Sequence, residues 1–365
     1  MTRKGLLISS ILLLVFSLLF CIGCGSPASD TPGGATTGTG DSSDDFETIE
    51  LTFAGFMPAN SPFEKDLMPH IVREIEEATE GRVKIVAYPG GTLLEGGNVF
   101  DGVMEGVADM GHESLSWVEG RLPVSDIFKK SGVPFESSKA ASRTFAEAME
   151  ILQPEEYKDI KVLMFFCTGP GNIHSNVPVR SLEDFQGLEV RCIGSDSPAI
   201  TALGAIPVTM THAESYEALQ KGIVKANLAS NETLTAWNLA EVTKYTTLTP
   251  FLYNGLQAVV MNLDVWNSLP ADIQDAIETA SKKVWEEHAI GFFDTQSEAA
   301  LQYAIEETGQ EVITLSDEEA ARWKERIAFI IDEYAEELNS RGLPGTEVKE
   351  LVFELGEKYN EMYRE

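Results

Sequence analysis

Basic residues are scarce in this 365-residue chain: 27 lysines and arginines stand against 58 aspartates and glutamates, a net charge of −31. So acidic a surface repels phosphate backbones and anionic lipid headgroups, which excludes nucleic acid and a charged membrane face as partners. Cysteine is nearly absent, with four in all, and two of them, Cys21 and Cys24, lie in the first 24 residues. The remaining pair, Cys167 and Cys192, cannot build a disulfide scaffold, and the sequence leaves their pairing open. Enzyme signatures are missing too. There is no G-x-S-x-G elbow, no H-E-x-x-H and no Walker loop. The five histidines, at 70, 112, 174, 212 and 288, show no metal-ligand spacing. His212-Ala-Glu214 matches half of a zinc deaminase signature, but the cysteine half does not follow. No cofactor and no metal is implied. Among so many acids, however, a carboxylate pair could arise anywhere, so composition alone leaves a hydrolase open.

Only one apolar stretch is long enough to span a bilayer. It runs from Gly5 to Ile22 behind Arg3 and Lys4, the pattern of a signal peptide. Gly23-Cys24 resembles the end of a bacterial lipobox, with Cys21 where leucine is usual. Residues 1–23 are therefore expected to be a lipoprotein signal peptide and Cys24 the lipidated N-terminus. Removing them takes away two cations and no acid, leaving 25 bases against 58 acids and a net charge of −33. Residues 24–45 are Gly, Ser, Thr, Pro and Asp with almost nothing apolar, the composition of a flexible tether. The expected location is extracytoplasmic, held to the bacterial membrane through the lipid alone.

The folded part, from about Phe46 to Glu365, exceeds what one core usually serves, so two lobes are expected. Its pattern is α/β throughout. Strand-like runs occur at 48–56, in "GRVKIVAYPGG", near Met110, in "KVLMFFCTGPG", in "GLEVRCIG", in "AIPVTM" and in "IVKANLA". "FLYNGLQAVVMNLDVW" (251–266) reads as one long strand passing between lobes. Ser316 to Glu319 is a capping box opening a helix whose apolar face carries Trp323, Ile327, Ile330, Tyr334 and Leu338. A last helix follows Gly342, lined by Val348, Leu351, Val352, Leu355 and Tyr359.

Against this acidic background Arg191 stands out. It lies near the carboxyl end of a strand, before Gly194 and the helix opened by "SDSPA". In open α/β sheets ligands collect beyond the carboxyl ends of strands. A planar fork of donors there suits a carboxylate. An ion pair with one of the many acids is the competing role.

Taken in order, "GRVKIVAYPGG", "GVADMG", "GRLPVSDIF", "SLEDFQGLEVR", "ALGAIPVTM", "ESYEALQKGIV" and "VVMNLDVWNSLP" resemble the solute-binding proteins of tripartite ATP-independent periplasmic (TRAP) transporters, of the DctP type. The resemblance runs from the first strand to about Ala300. It implies an α/β periplasmic-binding-protein fold of two lobes, bridged by crossing strands and a long helix. Lobe I would take 46–170 with about 255–300. Lobe II would take 171–254 with about 301–365, including bridging C-terminal helices. It also implies a monomer that closes on a small organic acid and delivers it to TRAP membrane permease subunits.

By the same resemblance, Arg191 would form a two-pronged salt bridge with the ligand carboxylate. Met57 lies in the loop at Phe56–Asn60 that reaches the ligand, and Glu113, Ser114 and Trp117 follow the third strand. His212, with Asn231 or Glu232, would line the pocket from the second lobe. The sialic-acid branch of the family carries a second arginine where Gly171 stands, which argues against a large sugar acid. The alternatives are the receptor of an ATP-driven importer and a lipid-anchored hydrolase with an Asp/Glu pair.

Overall fold

The computed structural model describes residues 48–118 and 120–364. The expected signal peptide at 1–23, the lipid site Cys24 and the tether at 24–45 lie outside the described residues. Among the described residues no helix is long and apolar enough to cross a membrane.

The strands, in chain order, are β1 (Ile49–Gly55), β2 (Val83–Tyr88), β3 (Met110–Ser114), β4 (Ile160–Cys167), β5 (Gly171–Ser175) and β6 (Glu189–Cys192). They are followed by β7 (Ile206–Thr209), β8 (Ala226–Ser230), β9 (Tyr245–Leu248), β10 (Leu256–Asn262) and β11 (Glu311–Thr314). They form two sheets, one per lobe, in the orders β2-β1-β3-β10-β4 and β11-β9-β5-β8-β6-β7. In the first sheet β1 runs parallel to β2 and β3, and β10 runs antiparallel to β3 and β4. In the second, β6 lies parallel between β7 and β8. Every residue of β10 is buried, because helices cover both faces of a sheet built from crossover connections.

Phe53, Phe63, Phe128, Phe145 and Phe166 anchor the first core, all fully buried, each worth about 1.5–3 kcal/mol of transfer free energy. The second core centres on Trp323, whose ring meets Phe185 at 4.9 Å.

Two of the segments that carry the chain between the lobes are 168–170 after β4 and 249–255 before β10. They are tied to each other: Thr168 N donates to the Gly255 carbonyl at 2.8 Å, and Gly171 N to the Tyr253 carbonyl at 2.9 Å. The single strand expected over 251–266 is therefore corrected. Phe251–Gly255 is irregular crossing chain, and Asn262 ends the strand because its side chain caps the helix Leu263–Ser268, accepting from Val265 N at 2.9 Å.

The bridging helix begins as Ala271–Val284, passes through a π-helical turn at Trp285–Ala289 and continues as Phe292–Thr308. Phe293 packs in the first core, while Ala300 and Ala304 pack with Leu219, Leu234 and Leu239 of the second lobe. Asp294 fixes it to lobe I by accepting from Ser138 N and Lys139 N, at 2.6 and 2.9 Å, at the start of the helix Ser138–Leu152.

The C-terminal helices depart from expectation. The run expected as one helix is broken at Ala328, giving Asp317–Ile327 and Phe329–Ser340. Ser316 caps it through Glu319 N at 3.2 Å, but the Glu319 carboxylate turns to Leu182 N and Trp323 Nε1 instead of closing the box. Beyond Ile330 the chain leaves the second lobe. Ile331, Ala335, Leu338, Val348, Val352 and Leu355 all join the first core. Gly356 permits this, since a Cβ there would lie 2.9 Å from the Pro134 ring.

Candidate ligand-binding cleft

The carboxyl end of β6 delivers Arg191 to the seam between the lobes, and the side chain is completely buried. Its Nε and Nη2 both donate to the Met210 carbonyl, at 3.0 and 2.8 Å. Nη1 points toward His212 Nε2 at 3.5 Å. No ion pair to Arg191 is found among the described residues. Burial pushes its pKa down to about 10. A buried cation without an anion is expensive, by several kcal/mol, unless something compensates it. Met210 O fixes two of its donors and leaves the third facing the seam.

His212 opens the helix His212–Gln220, whose capping box joins Thr211 to Glu214. Its imidazole is buried and neutral: burial, then the Arg191 charge, pushes its pKa well below 6.5. A guanidinium can only donate, so Nε2 accepts and the proton sits on Nδ1, which has no partner among the described residues. The ring lies between Trp117 of the first lobe and Trp237 of the second, each with its centroid 5.8 Å away. Trp117 in turn meets Phe56 edge-on at 4.9 Å.

In front of this stack is a cavity of about 30 Å³. Met57, Ser114 and Trp117 line it from the first lobe, and His212 and Glu232 from the second. Sequence reasoning missed several walls: Trp237, Tyr253 and Phe293 as rings, Thr168 and Gln257 as polar groups. Gln257 carried a signal, being the one polar residue inside the run Leu256–Met261. It faces Ser114 across the β10–β3 pair and bonds to His112 Nε2 at 3.0 Å. Tyr253 and Phe293 had none, since their place depends on how the crossing chain and bridging helix pack.

Three expected site residues lie outside the lining. Arg191 is one of them: it meets the cavity only through His212, whose ring does line it. Glu113 does not line the cavity: its carboxylate accepts from the backbone N–H groups of Gly97, Val99, Phe100 and Ser114. Asn231 is likewise outside the lining. Its Oδ1 accepts from Asn172 Nδ2 at 2.9 Å, and Asn172 Oδ1 holds Thr249 N at 2.8 Å, so the pair braces the crossing chain. Cys167 and Cys192 are both buried and unbridged.

Gly171 answers to Tyr253. A Cβ at this position would fall 2.3 Å from the Tyr253 Cβ. Gly171→Arg is therefore expected to cost about 1–3 kcal/mol or more by overpacking, read as a drop in melting temperature, without creating a sialic-acid site. A variant that melts like wild type would show that the Tyr253 ring moves aside freely.

Four buried carboxyls, Glu64, Glu113, Asp196 and Glu232, are pushed up to about 7, chiefly by burial. Each binds its proton more tightly folded than unfolded. Their contribution is fully present below the unfolded value of about 4 and is lost as pH rises through 7. His112 and His174, pushed down to about 3 and about 4 by burial, act the other way, as does His212. Their contribution is present above 6.5 and fades as pH falls. The melting temperature should thus climb from pH 8 to about 6 and level off toward pH 5. A maximum at pH 8 would contradict this balance.

With the geometry in place, the comparisons are specific. A model of bacterial extracellular solute-binding proteins, family 7 (DctP), matches residues 53–337. The C4-dicarboxylate-binding periplasmic protein DctP of Rhodobacter capsulatus is 31% identical over 271 residues, 73% of this chain and 80% of that protein. A solved TRAP periplasmic solute-binding protein from Desulfovibrio salexigens is 36% identical with a TM-score of 0.76, covering 85% of this chain and 96% of that one. A TRAP solute-binding protein from Rhodoferax ferrireducens, in complex with benzoate, shares the fold with a TM-score of 0.80 at 23% identity, over 86% of this chain and 99% of that one. These are binding receptors, not enzymes, which sets the hydrolase aside. The chain belongs to the DctP family, as an extracytoplasmic TRAP solute-binding receptor for small organic acids.

Proposed function

We propose that this receptor captures an aromatic monocarboxylic acid between its lobes, with Arg191 holding the carboxylate, and hands it to TRAP membrane permease subunits. The carrying observation is a fully buried guanidinium, with no ion pair among the described residues, that contacts His212 at the edge of a cavity walled by Phe56, Trp117, Trp237, Tyr253 and Phe293. Flat rings stack on such walls, with about 0.5–1.5 kcal/mol gained per aromatic pair beyond the area buried. The cavity of about 30 Å³ suits a water rather than an acid, so the lobes part to admit the ligand and close over it. The Asn172–Asn231 brace and the bonds between the crossing segments are where that bending would concentrate. Cys24 would carry the lipid, and the receptor would act as a monomer.

The R. capsulatus relative binds C4-dicarboxylates. In this chain Arg191, behind His212, is the cation the proposal uses; no lysine or arginine is in the cavity lining itself, and Glu232, once ionised above about pH 7, would repel a second carboxylate. Isothermal calorimetry of the protein against succinate, malate, benzoate, phenylacetate and mandelate tests the reading. An aromatic acid should bind at least about tenfold more tightly than either dicarboxylate, a difference of roughly 1.4 kcal/mol. Preference for a dicarboxylate would replace this ligand class and leave the family assignment untouched. Delivery is checked separately, by uptake into vesicles carrying the permease with and without the receptor.

A further inference from the structure

The cavity has a second pole that capture of a bare benzoate ring would leave unmet. Glu232 follows β8 and is 5% exposed at the cavity wall. One carboxyl oxygen accepts from Ser230 Oγ and the other from Ser297 Oγ, the latter at 2.9 Å. Ser297 belongs to the bridging helix, so the carboxyl is fixed from two elements and cannot swing to solvent. Above about pH 7, where the carboxyl is ionised, each oxygen keeps an acceptor site free, since a carboxylate offers about four. The charged group that most affects it is another acid, Asp294, and no ion pair to Glu232 is found among the described residues. Tyr253 lines the same cavity as Glu232.

An acceptor held rigid, stripped of water and given no cation is a demand for a donor on the ligand. Thr168, Ser230 and Thr233 also line the cavity, but their hydroxyls are already bonded within the protein, so Glu232 is the group there with acceptor capacity to spare.

Resting on the aromatic-acid reading above, we infer that the ligand carries a hydroxyl on the ring end away from its carboxylate, and that Glu232 accepts the hydrogen bond from it. Glu232 is then the residue that sets specificity among aromatic acids, while Arg191 sets affinity for acids as a class. A site that hydrogen-bonds a hydroxyl rejects the analogue lacking it, because its own buried group is left unpaired.

The test is calorimetry of the full protein with benzoate, the three monohydroxybenzoates, their methoxy counterparts and 3-(aminomethyl)benzoate. In wild type, at least one hydroxybenzoate should bind about tenfold or more tighter than benzoate, and methylation of that hydroxyl should remove the gain. Glu232→Gln should shrink the hydroxyl preference severalfold or more while benzoate affinity moves little. Ser297→Ala, a milder change that frees one carboxyl oxygen, should weaken the preference in the same direction.

Benzoate binding as tightly as every hydroxybenzoate to wild type would overturn the inference without any variant needing to fold, and would leave the aromatic-acid reading standing. Full preference retained in Glu232→Gln would also overturn it. Tightest binding by the ammonium-bearing acid would show that Glu232 seeks a cation instead. Failure of all these acids with binding of succinate would remove the aromatic reading itself.

Discussion

Arg191→Ala is expected to weaken capture of the acid by roughly thirtyfold to several thousandfold. The figure follows from losing a hydrogen-bonded charge pair in a desolvated seam, about 2–5 kcal/mol, at about 1.4 kcal/mol per factor of ten. The structure gives the reason the loss should be large. Met210 O holds Nε and Nη2, so the fork is already oriented before the ligand arrives and little side-chain entropy remains to be lost. Arg191→Lys should fail nearly as badly, because one ammonium cannot serve Met210 O and a carboxylate in the same plane.

Stability should move the other way. An unpaired buried guanidinium burdens the ligand-free fold, so Arg191→Met, similar in length and apolar, should melt no lower than wild type and may be assayed directly for folding. Calorimetry with the acid and its primary amide completes the comparison, since the amide should distinguish wild type from Arg191→Ala far less than the acid does. Equal affinity of Arg191→Ala and wild type for the acid would remove Arg191 from the site.

How much of this was legible in the chain depends on the distance over which each feature is decided. Strands such as β1 and β2 follow from local pattern, so alternation exposed them. Arg191 was legible because a cation at a strand end in an acidic chain is a local anomaly. The break at Ala328 was not, because the apolar face of 323–338 is continuous in sequence and is shared between the two cores only in three dimensions. Trp237, Tyr253 and Phe293 come from a short helix, a crossing segment and the bridging helix, and meet only in three dimensions. The long strand over 251–266 failed for a local reason that was available. Asn262 is a good cap, and its side chain competes with the ladder for backbone N–H groups.

Glu113 shows how a residue can matter to the site without touching it. Glu113→Ala is expected to cost about 3–5 kcal/mol of stability, the range for removing one partner of a buried charged network. Its carboxylate, fully buried, satisfies N–H groups of Gly97, Ser114, Val99 and Phe100, the last two at the start of the helix Val99–Met104. No water can replace it there without space, so each stranded donor carries its own desolvation cost of about 1–3 kcal/mol. Glu113→Gln keeps the shape but turns an NH₂ toward donors, so it should lose about half as much.

The effect should reach the ligand through one contact. The segment Glu113 holds includes Gly96, whose missing Cβ would lie 2.3 Å from the Trp117 ring, so that ring rests directly on this backbone. When the loop loosens, Trp117 loses its floor and the stack with His212 loses one side. Binding of the acid by Glu113→Gln should therefore weaken by a few-fold at a temperature where the variant is still folded, and a Trp117 fluorescence difference should accompany it. Thermal melting and calorimetry on the same sample decide the matter: a Glu113→Ala protein that melts like wild type would mean that the four N–H groups find other acceptors and that the carboxylate is not the anchor of this loop.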